Sequence, residues 1–127
     1  MAIKLNHTIV WSRDKHASAT FLAEVLGLAE PVPFGPFLGV QVDNDVTLDF
    51  GDNPGEIGSQ HYAFLITESD FDAAFRRIQE RNLPYWADPA QKQRGEINTH
   101  DGGRGLYFED PNGHLLEIIP RPYGSGG

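Results

Sequence analysis

Residues 61–83, HYAFLITESDFDAAFRRIQERNL, decide the fold, because residues 7–28, HTIVWSRDKHASATFLAEVLGL, run the same course. Each segment opens with a histidine at the start of a strand-like run, passes through a Ser/Asp helix start, continues into a helix-length stretch and closes on a leucine. The shared order marks an internal repeat. In the first copy Ile3, Leu5, Ile9 and Trp11 alternate with Lys4, Asn6, Thr8 and Ser12, the period of a strand. Ala19, Leu22, Ala23 and Leu26 then recur at helical spacing, with Gly27 placed to cap the helix. In the second copy Thr67-Glu68-Ser69-Asp70 starts a helix expected to run to about Arg81.

Beyond each helix the chain turns to short strands. PVPFGPF, residues 31–37, holds too much Pro and Gly for a central strand, whereas 38–42 and 46–50 read as a hairpin around Asp43-Asn44-Asp45. In the second copy, 83–87, 105–109 and 114–119 read as strands. The expected fold class is therefore α+β, built from two βαβββ repeats in a single domain spanning 1–127, with half-repeats at about 3–51 and 58–120. Residues 88–104 show no periodicity and are too long for a simple hairpin connection, so that loop is expected to be mobile or functional. Residues 121–127, RPYGSGG, read as a flexible tail.

Composition narrows the function. A formal charge of −8 repels phosphate backbones and anionic membrane surfaces, so neither nucleic acid nor membrane is an expected partner. The absence of cysteine rules out disulfides, thiolate metal sites and cysteine nucleophiles. The N-terminal MAIKLNHTIVW lacks the pattern of a signal peptide, and a cytoplasmic protein is expected.

Alternation sets which side chains share a face: His61 goes with Ala63 and Leu65, Glu117 with Leu115 and Ile119, and Asp49 with Thr47. A carboxylate in mid-strand is costly to bury unless a proton, an ion partner or a metal accompanies it. One divalent cation held by His7, His61 and Glu117 would account for all three residues. Two imidazoles and one carboxylate with open positions suit Fe(II) or Mn(II). Asp49 as a fourth ligand would give a more closed site suited to enolisation on Ni, Co or Zn. Asp49 is equally suited to opening the GDNPG turn.

These features, with LNHTIVW, SQHYAFL and above all GLYFEDPNGHLLEI, resemble the vicinal oxygen chelate superfamily, which includes glyoxalase I, extradiol dioxygenases, methylmalonyl-CoA epimerase, fosfomycin-resistance thiol transferases and bleomycin-binding resistance proteins. The resemblance runs from about Leu5 to Pro120. It implies an incomplete, curved mixed β-barrel with the helices outside, formed around a metal and often completed in a homodimer. The family's metal positions fall on His7, His61 and Glu117. Its fourth ligand, normally Glu or Gln, falls on Asp49, one methylene shorter. By the same resemblance Tyr107, ten residues before Glu117, takes the place of a substrate-bonding tyrosine, and His100 lies near the place of a substrate-anchoring histidine. Arg104 is a candidate for holding a substrate anion, and Trp11 and Trp86 for lining the site.

Three functions follow as expectations. The first is a metal-dependent enzyme acting on a small substrate with vicinal oxygens, extradiol dioxygenase-like, with Tyr107 or His100 moving protons. The second is a glyoxalase- or epimerase-like lyase or isomerase. The third, from another class, is a small-molecule (antibiotic) binding resistance protein whose cavity is lined by Trp11, Phe34, Phe37, Tyr85 and Trp86.

Overall fold

A computed structural model describes residues 2–122. The chain divides into two compact units, residues 1–57 and 58–127, and each carries one copy of the repeat. In the first, β1 (His7–Ser12), α1 (Lys15–Leu26), β2 (Val32–Phe34), β3 (Phe37–Gln41) and β4 (Thr47–Asp52) form a four-stranded sheet in the order β1-β4-β3-β2. In the second, β5 (His61–Leu65), α2 (Glu68–Glu80), β6 (Tyr85–Trp86), β7 (Leu106–Glu109) and β8 (Leu115–Ile119) form a second sheet in the order β5-β8-β7-β6. The first and last strands pair in parallel and the rest antiparallel, so both sheets are mixed and the fold is α+β. Among the described residues, no helix is long and apolar enough to cross a membrane. The tail expected at 121–127 falls mostly outside the described residues, which end at 122.

The helix ends show how the repeat is encoded. Asp14 caps α1 by accepting from the N–H groups of His16 and Ala17, and Thr67 caps α2 by accepting from Asp70 N–H. Gly27 ends α1 at φ 71°, and Leu28 N–H donates to Ala23 O. Asn82 takes the corresponding left-handed conformation at φ 55°, and Leu83 N–H donates to Ile78 O. The leucine closing each copy is thus the residue that completes the helix stop.

One expectation needs correcting. The first strand starts at His7, and Ile3 and Leu5 are exposed ahead of it, because β4 begins at Thr47, the register partner of His7, and offers nothing further to pair with. PVPFGPF is not a central strand, as its Pro and Gly content implies, and contributes an edge one, where proline's missing N–H is tolerated.

Each helix covers one face of its own sheet. Val10, Phe50 and Leu38 share a row with buried side chains, and α1 packs on that face. In the second sheet Tyr85, Phe108, Leu116 and Tyr62 form the equivalent row, and Phe75 of α2 meets Tyr85 edge-on at 5.2 Å. The polar residues singled out above lie on the opposite faces.

The turn before β8 places Glu117. Asp110 Oδ1 accepts from the N–H groups of Asn112 (2.8 Å) and His114 (2.9 Å), while Gly113 N–H donates to Asp110 O at 3.1 Å. Pro111 suits the first corner of this turn, and Gly113 sits at φ 86°. A Gly113→Ala variant is expected to lose about 1–2 kcal/mol in denaturant unfolding, the cost of a side chain in the left-handed region.

Candidate functional site

Glu117, His61 and Tyr107 come together on the face of the second sheet that points away from α2. Trp86, Tyr107, Glu117 and Ala63 occupy one row across β6, β7, β8 and β5, and His61 stands two residues before Ala63 on the same face. Glu117 is 1% exposed. His61 Nε2 lies 3.1 Å from Glu117 Oε1, and the Tyr107 phenol donates a hydrogen bond to the same carboxylate. The His61 and Tyr107 rings stack with centroids 5.9 Å apart.

The histidine's other nitrogen decides what this pair can hold. His61 Nδ1 is 3.0 Å from Leu115 O, and a carbonyl only accepts, so Nδ1 carries a proton. In a neutral ring Nε2 then presents a lone pair to a carboxylate oxygen, and two acceptors facing each other at 3.1 Å require a positive charge between or on them. A second proton on His61 meets that need, giving an ion pair. So does a metal cation. Imidazole nitrogen and carboxylate oxygen are donors that divalent first-row metals accept.

Burial pushes the Tyr107 phenol up to about 12, with the Glu117 charge, the hydrogen bond to Glu117 and the Asp88 charge acting in the same direction. The folded-state value lies above the ordinary 10.0, so the protonated phenol contributes its full stabilisation below pH 10 and loses it as pH rises through about 12. Phenolate absorbance of the metal-free protein should show one tyrosine titrating near 12, absent from Tyr107→Phe, with stability falling across the same window. Tyr62 is also raised by burial and, less, by Asp110.

The first unit holds the repeat equivalents. His7 opens β1 as His61 opens β5, and Asp49 pairs with Ile9 as Glu117 pairs with Ala63. Asp49 lies inside β4, buried, and does not begin the turn that follows. The two copies differ in their bonds: His7 is exposed and its Nδ1 contacts Asn6 Oδ1 at 2.7 Å. Within each unit, among the described residues, no group of three His, Asp or Glu side chains gathers. The pair His61–Glu117 is what the second unit assembles by itself.

Other expected site residues have different surroundings. Arg104 is bonded to Glu68 and Asp72 of α2, both at 2.7 Å, and its guanidinium lies 4.3 Å over the Phe71 ring. The hydrogen bond to Asp72, with that to Glu68, raises its pKa above the ordinary range against a smaller opposing effect of burial. Arg104, the candidate for holding a substrate anion, braces its loop against α2 through these two carboxylates. His100 sits exposed in a single 3-10 turn, His100–Gly102, with its N–H donating to Asn98 Oδ1 at 3.3 Å. Its loop is tied down: Asp88 accepts from Lys92 and Gln93 N–H, Asn98 Nδ2 donates to Ala87 O, and Asn98 pairs with Gly105. Trp86 shares the Glu117 face, but Tyr85 points the other way into α2, so the two cannot line one cavity. Trp11, on the uncovered face of the first sheet, tilts against Phe37 at 6.4 Å.

Two further contributors are nearly silent in the sequence. His114, fully buried, accepts from Gln60 N–H at 3.0 Å through Nδ1, and Leu115 N–H donates back to Gln60 O, which locks the start of β5 to the start of β8. A histidine directly after Asn-Gly is the available signal. Gly39, opposite Asp49, carries no sequence signal at all.

The whole chain can be set beside known proteins. It is similar to the solved structure of Oxidase ChaP-H1, with 62% identity, a TM-score of 0.96 and coverage of 97% of this chain and 99% of that one. Oxidase ChaP-H2 is 60% identical with a TM-score of 0.97 over the full length of both chains. Glutathione transferase FosA of Serratia marcescens is 30% identical over 125 residues, 93% of this chain and 81% of that protein. The model of the Glyoxalase/Bleomycin resistance protein/Dioxygenase superfamily matches residues 4–118, and with the paired βαβββ units this chain belongs to that superfamily.

Proposed function

We propose that this protein is a divalent-metal-dependent enzyme that oxidises a small substrate bearing vicinal oxygens, with extradiol-type ring cleavage as the favoured reaction. The observation that carries the reading is the buried Glu117 carboxylate facing His61 Nε2 across 3.1 Å with Tyr107 bonded beside it. The oxidative assignment draws support from the identity of about 60% to two proteins named as oxidases.

His61 and Glu117 would be two ligands of the cation, and His7, from the same chain or a second copy in a homodimer, the third. When bound, Fe(II) or Mn(II) would supply Lewis acidity and a path for electrons between substrate and dioxygen. The chain's own residues do the rest. Leu115 O fixes the His61 tautomer so that Nε2 faces the site. Tyr107, held protonated by its raised pKa, donates its one O–H to Glu117 and orients that carboxylate, which leaves the phenol oxygen to accept from a substrate hydroxyl. Trp86, in register with Tyr107, offers a flat apolar wall.

Elemental analysis of the purified protein followed by oxygen uptake with catechols tests the proposal. Metal in the protein, oxygen consumption matched to ring-opened product and loss of both in His61→Ala and His7→Ala are expected. Turnover that continues without dioxygen would point to a lyase or isomerase, and stoichiometric binding without product to a sequestering protein. Either result overturns the oxidative reading.

A further inference from the structure

Tyr85 and Trp86 are neighbours on β6, and their side chains leave opposite faces of the second sheet. Trp86 joins the Glu117 row, whereas Tyr85, with Leu83 and Pro84, lines a cavity of about 250 Å³ on the α2 side. Gln79 and Asn82 close it from the end of α2, and Arg94 and Gly95 close it from the loop. Both walls are held by backbone bonds. Asn82 turns the chain at φ 55° and Leu83 N–H donates to Ile78 O at 3.0 Å, while Gly95 N–H donates to Tyr85 O at 2.8 Å and Arg94 pairs with Trp86. Phe75 steadies the Tyr85 ring edge-on.

The polar groups of this cavity are unspent. The Gln79 and Asn82 amides, the Tyr85 hydroxyl and the Arg94 guanidinium make no hydrogen bond or ion pair with any other described residue. Arg104, Asn98 and Gln91 of the same loop, by contrast, are all bonded. No buried side-chain oxygen lacks a partner among the described residues, so the half-buried Tyr85 keeps its hydroxyl open to solvent. The chain holds 18 acidic residues, yet none of them lines the cavity, and Arg94 is its one charged lining residue. The carbonyls at the end of α2, which would repel an anion, are engaged: those of Arg77, Ile78 and Gln79 accept from Arg81, Leu83 and Asn82 N–H.

We propose that this cavity is a second ligand site, which takes a small planar carboxylate with an aromatic body. The Arg94 guanidinium pairs with the carboxylate, and the two amides donate to its remaining lone pairs. The ring of the ligand lies against Tyr85 and Pro84. The volume suits one ring and is below that of a site for a larger ligand. Because Tyr85 and Glu117 lie on opposite faces of the sheet, the site needs neither metal nor turnover.

Benzoate is the probe and benzamide its neutral counterpart, titrated into the full-length protein and followed by amide NMR. Benzoate should give saturable shifts at the Gly95 backbone amide and the Asn82 side chain, with a Kd of about 1 mM for so small a ligand. Benzamide should bind at least about 10-fold more weakly, since it lacks the charge that Arg94 reads. Arg94→Gln, at an exposed position, should weaken benzoate by at least about 10-fold and leave benzamide unaltered. Asn82→Gly keeps the left-handed turn, removes one amide and should weaken both probes by about 3-fold. Tyr107→Phe, on the other face, should bind benzoate as the wild type does. Shifts confined to His61, Trp86 and Tyr107, equal affinity for the two probes, or wild-type benzoate affinity in Arg94→Gln overturns the proposal. Displacement of benzoate by an equal concentration of inorganic phosphate would make this a site for any small anion and overturns the aromatic assignment.

Discussion

Replacing Glu117 with glutamine is expected to lower kcat/KM by more than about 100-fold and to strip the protein of metal. Changing a residue that merely supports a metal ligand costs about 10- to 100-fold in affinity or activity, and a ligand itself should exceed that range. Glutamine keeps the volume of Glu117 and removes its charge, so the charge that His61 Nε2 and Glu117 Oε1 share across 3.1 Å loses its counter-charge. The fold should not suffer to match. Glu117 is 1% exposed, and removing a buried carboxylate relieves desolvation, so the melting temperature should stay within a few degrees of wild type. Kinetics, elemental analysis and a thermal melt on the same preparation check the prediction together. An active, metal-loaded Glu117→Gln enzyme would remove Glu117 from the site.

Phe71→Ala should instead destabilise the second unit by about 3–5 kcal/mol, the usual cost of emptying a phenylalanine site in a core. Phe71 has no exposed surface, meets Phe75 at 6.0 Å and supports the Arg104 guanidinium at 4.3 Å. Arg104→Ala is expected to cost less, under about 2 kcal/mol, since its ion pairs are to well exposed carboxylates and solvent screens them. Urea unfolding of both variants gives the comparison. An Arg104→Ala protein of wild-type stability with a raised KM would return Arg104 to the substrate.

Much of the fold is legible in the chain itself. The match between 7–28 and 61–83 predicts two equivalent units, and it holds to the level of register: Ile9 opposes Asp49 as Ala63 opposes Glu117. Caps and turns are readable because their signals are local. Asp14, Thr67, Gly27 and the Asp110–Gly113 turn each act through hydrogen bonds to neighbours within five residues. Period 2 likewise brings His61 and Glu117 out as residues of one kind, each on an alternating strand.

What period 2 leaves open is which face a helix will cover. Ile9 and Trp11 look as apolar as Val10, yet α1 packs on the side of Val10. The ion pairs of Arg104 cannot be read from the linear chain because Glu68 and Asp72 lie more than thirty residues earlier on another element. The missing phenol opposite Asp49 is invisible for the same reason, since Gly39 gains meaning only when β3 sets it beside that carboxylate. The sequence by itself determined the repeat, the ends of the helices and the turn that launches Glu117, all of which depend on short-range backbone geometry. The tertiary structure alone decided that His61, Tyr107 and Glu117 meet while Asp49 is buried opposite a glycine, because strand pairing joins residues far apart in the chain, and burial then sets the cost of each charge.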